Sequence, residues 1–329
     1  MQSYQIPVVQ DVFDAAERLR DVAIETPIVR SDLLDEITGA KVFVKLESLQ
    51  HTGAFKFRGA YNCLSRLDRN ECPDGVVAYS TGNHGQAIAT VGRMLGIPTT
   101  VVMPSNAPQN KVEKARLAGA RIVRYDRERQ SREEVAAELA QQGRFAVVPP
   151  GDHHHVIAGQ ATVALEALAR LGKDAVDAIV VPCGGGGLSA GTCLAVEAAG
   201  SGAQVWAAEP ADFDDTRRSL ALGARQSNSS GIASMCDALL APIPAELPFS
   251  INSQRLAGVL VANDRAVRRA MALCFEAFRV VVEPGGAVAL AALMTDPAGA
   301  ILRGKRVLVI ASGGNVDAAL FASAINDVD

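Results

Sequence analysis

The chain has 329 residues, 49% of them hydrophobic and 21% charged, with a formal net charge of −4. This describes a soluble globular protein with a sizeable core, built as one large domain or two ordinary ones. The acidic balance leaves no surplus of cations for nucleic-acid phosphates. No run of about 18 apolar residues is available to span a bilayer, and Met1-Gln2-Ser3-Tyr4 opens no signal peptide. A cytoplasmic protein is expected, with neither nucleic acid nor membrane as partner.

Apolar runs of strand length alternate with segments of helical pattern. The spacing predicts strands over 42–46, 76–79, 99–103, 121–125, 146–148, 178–181, 204–208, 259–262 and 307–311. Helices are predicted over 86–95, 111–118, 132–141, 157–171 and 266–278. Such alternation marks an α/β protein with mostly parallel sheet. Gly96-Ile97-Pro98 and Gly119-Ala120 are helix exits, and Pro149-Pro150-Gly151 suggests a hinge. The block over 73–150 reads as a self-contained run of βα units. It is expected to form a small mobile domain inserted into a larger one made of 1–72 and 151–329, with a cleft between them. Ligands of open α/β sheets collect at the carboxyl ends of the strands, which face such a cleft.

Four motifs carry chemistry. In the first, Lys56 sits between Phe55 and Phe57 in a glycine-bounded segment. A desolvated lysine there is a nucleophilic amine able to form a Schiff base; the alternative is a surface lysine snorkelling from a helix start. In the second, Ser80-Thr81-Gly82-Asn83-His84-Gly85-Gln86 lies between a strand and a helix. Its hydroxyls and N–H groups either receive a carboxylate or merely cap the helix. The third is Gly184, Gly185, Gly186 and Gly187, after the apolar run Ala178-Ile179-Val180-Val181 and before Leu188-Ser189-Ala190. Bare backbone at a helix N-terminus suits a phosphate, and four glycines exceed what a tight turn needs. The fourth, Ile310-Ala311-Ser312-Gly313-Gly314-Asn315, is again strand, glycine turn and helix. Its Ser312 either meets a heteroaromatic ring or caps the next helix.

Six scattered cysteines form no C-x-x-C pair and read as reduced, buried packing residues, Cys183 included. His153-His154-His155 lacks the i, i+4 spacing that aims helical histidines at one metal, so structural or solvent roles are expected.

Together and in this order, the four motifs resemble the fold-type II family of pyridoxal 5′-phosphate enzymes, in its serine/threonine dehydratase and serine racemase branch. The carriers are Ala54-Phe55-Lys56-Phe57-Arg58-Gly59-Ala60, Ser80 to Gly85, the four glycines and Ser312 to Asn315, with Val156-Ile157-Ala158-Gly159-Gln160 in support. The resemblance runs from about Thr26 to Asp317. It implies a tryptophan synthase β-like fold, with two open, mostly parallel sheets flanked by helices and the cofactor in the interdomain cleft. It also implies that Lys56 holds the cofactor as a Schiff base with Phe55 beside it. Asn83 would bond the ring hydroxyl, the four glycines the phosphate, and Ser312 the pyridine nitrogen. A neutral hydroxyl at that nitrogen does not force its protonation, which limits carbanion lifetime and suits prompt loss of a β-leaving group.

The reaction implied is water elimination from a β-hydroxy amino acid, giving a 2-oxo acid and ammonia. Ser80, Thr81, His84 and Arg132 would bind the substrate, and the freed Lys56 amine would take the Cα proton. The segment from Glu209 to Asp215 resembles a divalent-cation site of the racemase branch, with Glu209, the Phe213 carbonyl and Asp215 as ligands for Mg²⁺ or Ca²⁺. The alternative there is an acidic solvated turn, and for Arg132 a helix-surface charge.

Two positions depart from the family pattern. Ala54 replaces the serine usual before Phe-Lys, and Thr81 stands where the racemase branch has its second acid-base serine. Threonine keeps the hydroxyl but restricts its rotamers, so elimination leads and racemisation is the alternative. A non-catalytic phospholigand-binding protein is the reading from another class. Ser229-Ser230-Gly231-Ile232-Ala233 and Glu283-Pro284-Gly285-Gly286 are candidates for the pocket wall that selects among threonine, serine, 3-hydroxyaspartate and bulkier substrates. A homodimer without a C-terminal regulatory domain is expected.

Overall fold

The β-branched runs bounded by glycine and proline become the strands, and the alanine-rich segments between them the helices. The computed structural model describes residues 5–80, 82–107, 109–229, 231–295 and 298–326; Thr81 and Ser230 lie outside these. Among the described residues the strands are β1 (Ile28–Val29), β2 (Lys41–Leu46), β3 (Gly75–Tyr79), β4 (Thr99–Pro104), β5 (Arg121–Tyr125), β6 (Phe145–Val147), β7 (Ala178–Pro182), β8 (Gln204–Pro210), β9 (Leu256–Ala262) and β10 (Arg306–Ala311). A six-stranded sheet has the order β1-β2-β10-β7-β8-β9, and a four-stranded sheet the order β5-β4-β3-β6. All neighbours are parallel except β1, which runs antiparallel to β2.

This is the expected pair of open, mostly parallel sheets. Each strand read from the sequence is present, several of them longer than expected. The two-residue β1 is new, being too short to carry a periodic signal. The second sheet draws all its strands from the stretch between Gly75 and Val147.

The central strands of the large sheet are covered on both faces. β7 is buried throughout and β10 is buried after Arg306, which is why both read as continuous apolar runs rather than alternating ones. Ala178, Val180, Val307 and Val309 pack on one face with the helix Pro284–Met294. Ile179, Val181, Leu308 and Ile310 pack on the other with the helices His154–Leu171 and Gly187–Ala199. The alternation follows from successive side chains of a strand pointing to opposite faces.

One polar cluster interrupts this core beneath the helix Lys56–Leu64. The Arg58 guanidinium donates to Glu47 through Nε and Nη2 at 2.9 and 2.8 Å, and through Nη1 to Glu166 at 2.9 Å. Lys45 Nζ donates to the Thr26 carbonyl at 2.7 Å and pairs with Glu166. Lys45 and Glu47 are fully buried and Arg58 nearly so. Burial opposes ionisation of Glu47, but the Arg58 charge wins and holds its carboxyl below the usual range. Two cations against two carboxylates make a balanced quartet, and removing one member strands a buried charge. Glu47→Ala is therefore expected to cost about 3–5 kcal/mol, measured by denaturant unfolding of the cofactor-free protein. A loss below about 1 kcal/mol would show that Glu166 suffices for Arg58.

Candidate active site

The lysine motif and the serine motif meet at the backbone. Phe55 N–H donates to the Ser312 carbonyl at 3.0 Å and Gly314 N–H to the Gly53 carbonyl at 2.9 Å, around an antiparallel bridge of Ala54 with Gly313. Ala54 is fully buried in this pairing, so the hydroxyl that it replaces would need a buried partner of its own. Lys56 opens its helix and points into the cleft. Its Nζ donates to the Pro150 carbonyl at 2.5 Å and lies 5.1 Å from the centre of the Phe55 ring. Burial lowers the ammonium to about 8, so a free amine is accessible near neutral pH, as a nucleophile requires. Ser312 follows β10 directly and is 4% exposed.

The glycine run links β7 to the helix Gly187–Ala199, whose N-cap is Gly186 with φ +91°. That backbone conformation disfavours any side chain. A Cβ there would also come within 2.8 Å of Asn252 Nδ2. The four glycines line a cavity of about 630 Å³ together with Phe55, Lys56, Ser80, Asn83, His84, Arg132 and Ser312. One space therefore joins bare backbone at a helix N-terminus, which suits an anion, to a primary amine and a neutral hydroxyl. Cys183 beside the loop is buried, and burial first, then Glu209, pushes its thiol up to about 12. It is a packing residue with weak contacts to Ser189 and Thr216.

The opposite wall comes from the four-stranded sheet. Ser80 follows β3, and its hydroxyl accepts from Gly82 N–H at 3.2 Å. Asn83 begins the helix Asn83–Leu95, earlier than the sequence pattern indicated. His84 Nε2 is 2.9 Å from the Val148 carbonyl. A carbonyl only accepts, so the proton sits on Nε2. Burial, with the Lys56 and Arg132 charges, lowers the ring to about 3 and keeps it neutral. Arg132 caps no charge inside the cleft: it pairs with Glu133 at 2.8 Å and lies 5.7 Å from the centre of the Tyr79 ring. It nevertheless lines the cavity.

Glu283 and Asn315, which the sequence placed on the pocket wall and in the fourth motif, prove to be joined through Asn83. Glu283 is 4% exposed. One of its oxygens accepts from Asn83 Nδ2 at 2.6 Å and the other from Asn315 N–H at 3.1 Å. Asn315 Nδ2 in turn donates to Asn83 Oδ1 at 2.8 Å and to the Thr52 carbonyl at 2.7 Å. Burial, then repulsion from Asp237, raises Glu283 to about 7. The available signal was an acid standing alone between Val280-Val281-Val282 and an apolar helix.

The acidic segment lies behind the glycine loop, at the end of β8. Glu209 and Asp215 are fully buried and Phe213 nearly so. Glu209 accepts from the N–H groups of Thr216 and Arg217 at 2.9 and 3.0 Å. Asp215 Oδ1 accepts from Asn228 at 2.7 Å, whereas its Oδ2 is buried with no partner. Burial raises Glu209 to about 8, with Asp215 adding to it, and Asp215 to about 6. An orphaned carboxylate oxygen beside a second buried acid fits a hard cation and excludes the solvated turn. The histidine triplet does something else. His153 caps the helix His154–Leu171 by accepting from His155 N–H at 3.2 Å, and the rings of His154 and His155 lie 3.7 Å apart. Burial lowers His153 to about 4 and His155 to about 3.

Comparison with known proteins identifies the family of the chain. The chain is 40% identical to an L-threo-3-hydroxyaspartate ammonia-lyase of Pseudomonas sp, over 97% of this chain and 98% of that protein. It is 37% identical to an L-threo-3-hydroxyaspartate ammonia-lyase of Saccharomyces cerevisiae, over 98% and 97%. The crystal structure of serine racemase from Dictyostelium discoideum superposes with a TM-score of 0.89 at 34% identity, covering 95% of this chain and 100% of that one. Residues 19–313 match the family described as pyridoxal-phosphate dependent enzyme, and it is to this family that the chain belongs.

Proposed function

We propose that this pyridoxal-phosphate-dependent ammonia-lyase of a β-hydroxy amino acid takes 3-hydroxyaspartate as its substrate. The observation that carries the substrate is that two relatives matched almost end to end, at 40% and 37% identity, are L-threo-3-hydroxyaspartate ammonia-lyases. The charge of the cleft does not decide it, because Lys111 pairs with Asp237, Arg132 with Glu133 and Arg225 with Glu246 along the same wall.

In this reading the glycine loop takes the cofactor phosphate, Lys56 the aldehyde carbon, Asn83 the ring hydroxyl and Ser312 the ring nitrogen. Bound there, the cofactor supplies an electron sink that acidifies the substrate Cα–H. The chain does the rest. The N-terminus of the helix Asn83–Leu95, with Ser80, Thr81 and His84, receives the α-carboxylate. Neutral His84 adds no charge of its own. Arg132, held near Tyr79, closes over the substrate. The Lys56 amine, already poised near neutral pH, takes the Cα proton. Loss of the β-hydroxyl as water leaves an enamine that hydrolyses to a 2-oxo acid and ammonia. The stretch over 73–150 moves as a unit against the rest, Glu209, Phe213 and Asp215 hold Mg²⁺ or Ca²⁺, and the working form is a cytoplasmic homodimer.

A coupled 2-oxo-acid assay over 3-hydroxyaspartate, threonine and serine is expected to give 3-hydroxyaspartate a kcat/KM at least about 10²-fold above the others. A preference for serine or threonine would remove the dicarboxylate reading, and D-serine forming faster than 2-oxo acid would favour a racemase. Borohydride trapping of added pyridoxal phosphate on the apoprotein should rise with pH through about 8 and level off well below the ordinary lysine range. The lowered value means that the free amine is populated above about 8 rather than above 10.5. Lys56→Ala should abolish the trapped adduct; an adduct that persists would place attachment elsewhere. Millimolar Mg²⁺ or Ca²⁺ should raise the thermal midpoint, and Asp215→Asn should erase that response. Equal midpoints in excess cation and in chelator would exclude the cation site.

A further inference from the structure

The amide of Asn83 has only one orientation that satisfies its neighbours. The Thr52 carbonyl only accepts, which makes the Asn315 atom at 2.7 Å a nitrogen. Asn315 therefore donates to the Asn83 oxygen at 2.8 Å. This leaves the Asn83 nitrogen 2.6 Å from Glu283, whose other oxygen accepts from Asn315 N–H. Both Glu283 oxygens thus accept, and neither amide can flip without opposing like groups. After these bonds Asn83 retains one N–H, on a side chain that lines the cleft.

The partners come from different sheets. Asn83 follows β3 in the four-stranded sheet, whereas Asn315 follows β10 and Glu283 precedes the helix Pro284–Met294 behind the six-stranded sheet. The three are packed tightly: a Cβ on Gly313 would lie 2.4 Å from Glu283 Oε1 and 3.2 Å from Asn83 Nδ2. A carboxylate buried this deeply with two neutral donors is costly for the fold alone.

We propose that Glu283 is a positioning residue which, with Asn315, locks the Asn83 amide so that its N–H, and not its carbonyl, faces the ring oxygen of the cofactor. The proposal rests on the cofactor role given to Asn83 above. An N–H there stabilises the ring oxygen as an anion, and a carbonyl there would repel it. Glu283→Gln keeps the shape but can offer an N–H of its own, so only Asn315 is left to hold the Asn83 amide.

The test uses the apoprotein, titrated with pyridoxal phosphate and followed by visible absorbance, for Glu283→Gln, Asn83→Ala and the double variant. Each single variant is expected to raise the cofactor Kd about tenfold, the loss of one hydrogen bond to a charged group. Each should also move the visible maximum in the same direction. The double variant should be no weaker than the weaker single, because Glu283 acts through Asn83. Losses that multiply would overturn the proposal, as would a Glu283→Gln protein with unchanged Kd and spectrum while Asn83→Ala is weakened. An unchanged Kd in Asn83→Ala would sink the underlying role of Asn83 together with the proposal. The thermal midpoint of each apoprotein checks folding. Where Glu283→Gln does not fold, Asn315→Ser opens the other end of the lock, with the same non-additivity expected and additive losses again decisive against it.

Discussion

The cleft depends on the short antiparallel contact that ties Gly53-Ala54-Phe55 to Ser312-Gly313-Gly314. These segments are separated by more than half the chain, and neither is part of a regular sheet. Their pairing sets Lys56 and Ser312 at a fixed offset on the wall of one cavity. β2 and β10 feed the pairing directly, since Leu46 stands in register with Ala311 at the carboxyl ends of these parallel neighbours. The sheet thus works as a jig, and the loops beyond its edge inherit its precision.

Charge is handled differently on opposite sides of the first turn of the lysine helix. Inside, Arg58 sits in a balanced quartet with Lys45, Glu47 and Glu166, where every ion has an opposite. Two residues earlier, on the opposite side, the Lys56 ammonium donates to a carbonyl and meets no carboxylate among the described residues. The contrast explains how neighbouring cations on one helix behave in opposite ways: pairing holds the guanidinium charged, while desolvation loosens the proton on the amine. The glycine loop is similarly backed, because Cys183 connects it through Thr216 to the region of Glu209 and Asp215.

Much of this was legible in the sequence. Parallel strands buried on both faces leave short apolar runs, and the glycine turns after β7 and β10 mark two segments that come to line one cavity. What escaped reading has physical causes. The helix Pro284–Met294 is buried all round, so it has no amphipathic period to betray it. Lys45 and Glu166 look like ordinary charges until the sheet brings them together. Glu283 is a partner of Asn83 only because the strand order closes a separation of 200 residues. Helix starts at Asn83 and His154 were placed too late because glycines and histidines hide the first turn.

The strand order also bears on how the protein is made. β10 is the last strand in the sequence, yet it lies between β2 and β7 in the middle of the large sheet. During synthesis, β1 and β2 and the block of β7, β8 and β9 emerge with no hydrogen-bonded neighbour between them. The four-stranded sheet, whose strands all come from a continuous stretch, can pair while translation proceeds. The large sheet closes only when residues 306–311 leave the ribosome. Ser312 and Asn315 arrive just behind them, so the cleft that they line is incomplete until β10 has paired, and a nascent chain stalled before β10 exposes two unpaired apolar strand edges to quality control.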